Sequence, residues 1–176
     1  TDSFICPSQF IADKMIQGGF DKSKMHTLCN FIDVEKCEEA DYLKKDYYCY
    51  IGRISHEKGI KTLIAAANRL PHKLVIIGKG PLDAEMKKLA GPNVEFAGFK
   101  QWNEIKRIVG QARFCVIPSE CYENNPLSVI ESQCLGTPVL GAQIGGIPEL
   151  IQEGCNGLHF RSRDTDDLTA KIQAMY

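Results

Sequence analysis

The chain has 176 residues, 44% hydrophobic and 24% charged, the length and balance of one globular domain able to bury a core. With 21 basic and 22 acidic residues its formal charge is −1, so no basic field exists to hold a nucleic acid or an anionic membrane non-specifically. The longest apolar runs, such as Lys73–Ile77, are far too short to cross a bilayer.

Along the chain, Phe4–Cys6 has the pattern of a short strand, followed by a helix from about Ser8 to Gln17 and a turn at Gly18-Gly19. Leu28–Ile32 is a second short strand candidate, and the charged stretch Asp33–Asp46 is expected to be a linker or a surface helix. After it, apolar β-rich runs recur at Tyr47–Ile51, Lys73–Ile77, Val94–Phe96, Arg113–Ile117 and Pro138–Leu140. Segments of helical period lie between them. Ile60, Leu63, Ile64, Ala67 and Leu70 line one helix face up to Pro71. Leu82–Ala90 ends at Gly91-Pro92, a third helix covers about Asn103–Gly110, and the last runs from about Asp164 to the end. Short strands apolar on both faces and alternating with helices predict an α/β fold, a doubly wound parallel sheet of Rossmann-like type. Such sheets bind ligands beyond the carboxyl ends of their strands. The loops there are Gly52-Arg53, Gly78–Pro81, Gly98–Lys100, Pro118–Asn125 and Gly141–Gly146.

The eight cysteines fall mostly where a small buried hydrophobe fits, as at Cys49, Cys115 and Cys134. No Cys-x-x-Cys pair occurs, and His26, His56, His72 and His159 are scattered, so no zinc site is expected. All eight thiols are expected to be reduced in a cytoplasmic protein. A start at Thr1 with no signal peptide suits a fragment or an excised domain.

Two segments carry residues suited to an anion. In Gly52-Arg53-Ile54-Ser55-His56-Glu57-Lys58-Gly59, Ser55 is a good N-cap, which places Lys58 in the first turn of the helix. A cation there opposes the helix dipole at a cost of about 0.3–1 kcal/mol, so Arg53 and Lys58 either meet a phosphate or diphosphate or are solvated surface charges. In the second segment Asn125 is a natural N-cap, Pro126 fits the first helical position and Gly136 fits the position after the last turn. Leu127, Ile130 and Cys134 then follow a core spacing. Glu131 has apolar neighbours four residues away on both sides, so its carboxylate borders the buried face. Ligand hydroxyls would satisfy it, and so would a buried Arg or Lys. Glu123 lies in the preceding loop, where the backbone amides of Asn124 to Leu127 point to whatever it faces.

Taken in order, Gly52-Arg53…Lys58-Gly59, Gly78–Pro81, Val94–Gly98, Pro118-Ser119…Glu123-x7-Glu131…Gly136–Val139 and Gly145–Glu149 resemble the donor-binding half of the retaining GT-B glycosyltransferases, the large group called group 1 or family 4. The likeness extends over the whole chain. It implies residues 1–45 as inter-domain passage and linker, residues 46–176 as a nucleotide-sugar-binding domain, and an N-terminal acceptor domain absent from this chain. By the same likeness Arg53 and Lys58 bind the donor diphosphate and stabilise the leaving nucleoside diphosphate. Glu131 takes the ribose hydroxyls, Glu123 holds hydroxyls of the sugar, and backbone near Asn124, Asn125 and Leu127 faces sugar and phosphates. The base rests by Gly98, Phe99 and Lys100.

The implied function is transfer of a sugar to an acceptor hydroxyl with retention, with no metal or other cofactor. Many members have Glu-Gly-Phe-Gly where this chain has Glu123-Asn-Asn-Pro126, which leaves donor base and sugar open. The isolated chain is expected to bind a sugar nucleotide weakly and transfer nothing alone, and any membrane contact would fall to the absent half. Two other readings are an epimerase or phosphorylase-like half and a non-catalytic sugar-nucleotide-binding module.

Overall fold

The computed structural model of the chain describes residues 2–33, 43 and 45–176. Most of the Asp33–Asp46 stretch, with Cys37, lies outside the described residues. The other seven cysteines are free thiols.

The first unit is a strand β1 (Phe4–Cys6), a helix α1 (Gln9–Gln17) and a strand β2 (Met25–Thr27). β1 and β2 pair in parallel as a separate two-stranded sheet. Ser8 caps α1, its hydroxyl accepting from the Ile11 amide at 3.3 Å. The second strand therefore lies before Leu28–Ile32, which has no regular structure. Its apolar Leu28 and Phe31 are exposed instead of sheet-bound.

The main body alternates strand and helix: β3 (Tyr48–Ile51), α2 (Ile60–Ala67), β4 (Leu74–Ile77), α3 (Asp83–Leu89), β5 (Val94–Gly98), α4 (Trp102–Gln111), β6 (Cys115–Ile117), α5 (Leu127–Cys134), β7 (Val139–Ala142), β8 (Gly157–Phe160) and α6 (Thr165–Met175). Six strands pair in parallel in the order β5-β4-β3-β6-β7-β8. That is the doubly wound α/β sheet expected from the apolar, non-alternating strands. β8, short and with Gly157 and His159 among its four residues, has no clear strand pattern in the sequence.

Side-chain alternation along each strand divides the core between two faces. Tyr48 and Tyr50 of β3, with Leu74, Ile76, Phe114 and Leu140, pack against α2, α3 and α6 through Leu63, Met86, Leu168 and Ile172. Cys49, Val75, Cys115 and Val139 face the other way, towards Val109 of α4 and Val129 of α5. Each large side chain so buried contributes about 1.5–3 kcal/mol. The chain reverses its direction of travel across the sheet between β3 and β6, which are neighbours in the sheet although far apart in sequence. Folds of this kind place their ligand crevice at the carboxyl ends of such a strand pair.

Candidate functional site at the switch between β3 and β6

The loop after β3 begins at Gly52-Arg53. The buried Tyr50 hydroxyl donates to the Arg53 carbonyl at 2.8 Å, which pins the turn, and burial holds that phenol well above its usual range. The Arg53 side chain is exposed and has no acidic partner within ion-pair distance among the described residues. Gly52 and Arg53 line a cavity of about 280 Å³ with Ile77 to Lys79, Phe99, Lys100 and Ile105. Phe99 is 63% exposed. Lys100 is shared with Glu104, its Nζ 2.8 Å from Oε1. Three cations, Arg53, Lys79 and Lys100, therefore edge one hollow. Lys79 has no assignment from the sequence; its position in the loop after β4, neighbour of β3, is the signal that would have found it.

Lys58 does not sit in the first turn of α2 as expected. His56–Lys58 form a separate 3-10 turn, and Gly59 in the left-handed conformation, φ 67°, divides it from the helix. Ser55 stands at the N-cap position of that 3-10 turn and not of α2, and its hydroxyl donates to Glu57 Oε1 at 2.6 Å instead of capping a backbone amide. The detour carries Lys58 across to the loop after β6. Lys58 Nζ lies 2.5 Å from Glu123 Oε1, and the Ser119 hydroxyl donates to the same oxygen at 2.7 Å. Glu123 Oε2 has no protein partner among the described residues. The two strands that meet at the switch thus deliver one cation and one carboxylate into direct contact.

Close backbone approach fixes this contact. A Cβ on Gly59 would stand 1.9 Å from the Pro118 carbonyl oxygen, and one on Gly145 (φ 62°) would stand 2.3 Å from the Glu123 carbonyl oxygen. The Gly146 amide donates to that same Glu123 oxygen at 2.7 Å. Gly59→Ala is therefore expected to destabilise the chain by about 2–4 kcal/mol, from overpacking together with left-handed strain. The measurement is urea unfolding, and a change under 1 kcal/mol would show that the loop relaxes freely.

Asn125 is not the N-cap of α5; Pro126 holds that position without a side-chain bond. The Asn125 side chain is spent on Asn30, whose amide donates to its Oδ1 at 3.0 Å while Asn30 Nδ2 donates to its carbonyl at 2.7 Å. The α5 core face also differs from the expected spacing. Val129 and Ser132 are buried, whereas Leu127 is 46% exposed and Ile130 and Cys134 are intermediate. Asn124 is exposed beside the site. Glu131 is half-buried, with no hydrogen-bond or ion-pair partner for its carboxylate among the described residues. Burial pushes its carboxyl above the ordinary value of 4.5. Among the described residues no Arg or Lys lies at hydrogen-bonding distance to explain it structurally.

The structure brings Gly52, Arg53, Phe99 and Lys100 to one cavity and joins Lys58 to Glu123. Glu131 is not part of that cavity's lining. Among the described residues no group of three or more His, Cys, Asp or Glu is placed to hold a metal, and no helix is long and apolar enough to cross a membrane.

The family model for glycosyl transferases group 1 matches residues 32–176. A sulfoquinovosyl transferase of Arabidopsis thaliana is 33% identical over 137 residues, 75% of this chain and 27% of that protein. A GDP-mannose-dependent alpha-mannosyltransferase of Corynebacterium glutamicum is 30% identical over 140 residues, 80% of this chain and 33% of that protein. Among solved structures, Anabaena HepE in complex with UDP superposes with a TM-score of 0.88 at 20% identity, covering 99% of this chain and 54% of that one. The chain thus spans about a quarter to a half of the length of the proteins it matches.

Proposed function

Since the chain belongs to the glycosyl transferases group 1 family, we propose that it is the donor-binding part of a retaining transferase that moves a sugar from a nucleoside diphosphate to an acceptor hydroxyl. The observation that carries this reading is the contact of Lys58 with Glu123 across the strand switch, beside a hollow edged by Arg53, which has no acid within ion-pair distance among the described residues. A diphosphate would lie between Arg53 and Lys58, where two cations meet the charge that grows on the leaving nucleotide. No metal is required for that. The base would occupy the cavity against Phe99 and Lys100. The ribose hydroxyls would satisfy Glu131, and backbone at Asn124, Asn125 and Leu127 would face sugar and phosphates.

Glu123 acts in this scheme as an orienting group. Its Oε1 accepts two hydrogen bonds, one from a cation, which blunts it as a nucleophile, while Oε2 remains to hold a sugar hydroxyl. Residues 1–45 would form the passage to an acceptor half, residues 46–176 the donor domain, and transfer would need both. A cytoplasmic location goes with free thiols.

A uridine nucleotide is supported by the HepE complex with UDP, and a guanosine nucleotide by the mannosyltransferase relative. Calorimetry with UDP-glucose and GDP-mannose decides between them. One is expected to bind, with Arg53→Ala and Lys58→Ala each weakening it about tenfold or more. A chain that binds neither donor would overturn the reading. Retention is tested on the full-length protein by the anomeric configuration of the product.

A further inference from the structure

Glu123 stands in a loop without regular structure, Pro118 to Pro126, and such loops move unless they are tied down. Besides the Gly146 and Asn30 bonds at its far end, one tie at its near end is Glu120, to which no site role attaches so far. Its amide donates to the Glu57 carbonyl at 2.9 Å, inside the turn that carries Lys58. Its Oε1 accepts from the Thr62 hydroxyl of α2 at 2.6 Å. From a third side, Arg163 Nη2 donates to the Glu120 carbonyl at 3.2 Å, with Arg163 Nε 3.5 Å from Oε2. The neighbouring Ser162 hydroxyl donates to the Ser119 carbonyl at 3.1 Å. Arg163 is also the one non-glycine residue with positive φ, 66°, among the described residues. A conformation this uncommon persists where surrounding contacts over-determine it. The carboxylate of Glu120 is turned to Thr62 and Arg163, while Glu123 is turned to Lys58.

We propose that Glu120 is a positioning residue: clamped by Thr62 and Arg163, it fixes the loop after β6 to the turn of Lys58 and so holds the Lys58–Glu123 pair assembled before a donor arrives. The inference rests on the proposed donor site for its functional consequence, but not for the clamp itself. Preassembly matters because a loosely held pair must be ordered at the expense of binding or of the reaction step.

The clamp is tested first by hydrogen exchange on the chain alone. Glu120→Ala and the near-isosteric Thr62→Val should speed exchange of amides 119–125 about tenfold or more, leaving β3 and β4 unchanged, whereas Thr62→Ser should behave as the wild type. Unchanged loop exchange in Glu120→Ala overturns the inference, whatever the fate of the donor reading. The functional arm compares UDP-glucose with UMP (GDP-mannose with GMP if the guanosine donor binds). Glu120→Ala should weaken the sugar diphosphate about three- to tenfold and leave unchanged the monophosphate, which lacks the second phosphate and the sugar assigned above to Lys58 and Glu123. Equal loss for both would mean a general structural defect and overturn the positioning role. A wild type that binds no donor would sink the functional part, with the exchange result still deciding the clamp.

Discussion

Lys58→Ala in the full-length transferase is expected to lower kcat/KM for the nucleotide sugar by about 10²–10³-fold, the scale of losing one preorganised charge from a developing oxyanion. Two effects combine. The diphosphate loses a cation, and Glu123, whose Oε1 meets Lys58 at 2.5 Å and is mostly buried at 16% side-chain exposure, becomes an uncompensated anion facing an anionic donor. The second effect makes the two residues non-additive. Lys58→Ala with Glu123→Gln should therefore be no worse than Lys58→Ala alone and should recover part of the donor affinity. Steady-state kinetics with a calorimetric titration of UDP separates the terms. A Lys58→Ala enzyme within threefold of the wild type would remove this residue from the reaction.

Glu131 should show opposite signs in stability and in binding. Burial raises its carboxyl above 4.5, so the folded chain binds that proton more tightly than the unfolded one. Stability then falls as pH rises from the ordinary value through the raised one, and the cost persists above it. Glu131→Gln removes the cost and should raise Tm near neutral pH, with no gain below pH 4. In binding the charge is an asset. Hydroxyls that donate to it favour the ionised form, so nucleotide affinity should climb with pH through its titration, and Glu131→Ala should weaken binding by about 1.5–3 kcal/mol. A variant that loses stability and keeps its affinity would identify a structural carboxylate.

The sheet was legible because its strands are short, apolar on both faces and bracketed by glycine or proline; Tyr48–Ile51 and Leu74–Ile77 differ from the expected runs by a single residue at the start. The site was legible as residue types, because a lysine beside a helix start and a glutamate bordering a core both ask for a partner. Local geometry was less so. Ser55 and Asn125 have the chemistry of caps, yet each side chain is spent elsewhere, on Glu57 and on Asn30. Asn30 lies 95 residues from Asn125 in the chain, and no local rule reports such a competitor. Glu120 and Arg163 escaped for the same reason, since each is an ordinary exposed-type charge until the fold sets them side by side.

One joint bears on how such proteins can be divided and recombined. The Glu149 carboxylate receives the first two amides of α1, Gln9 and Phe10, at 2.8 and 2.6 Å, and Asn30 grips Asn125 beside Glu123. The match to the family model opens only at residue 32, downstream of all three grips. A chimera spliced at that seam would inherit Glu149 and Asn125 without their counterparts, so a viable graft has to carry the β1–α1–β2 unit along with the domain it leans on.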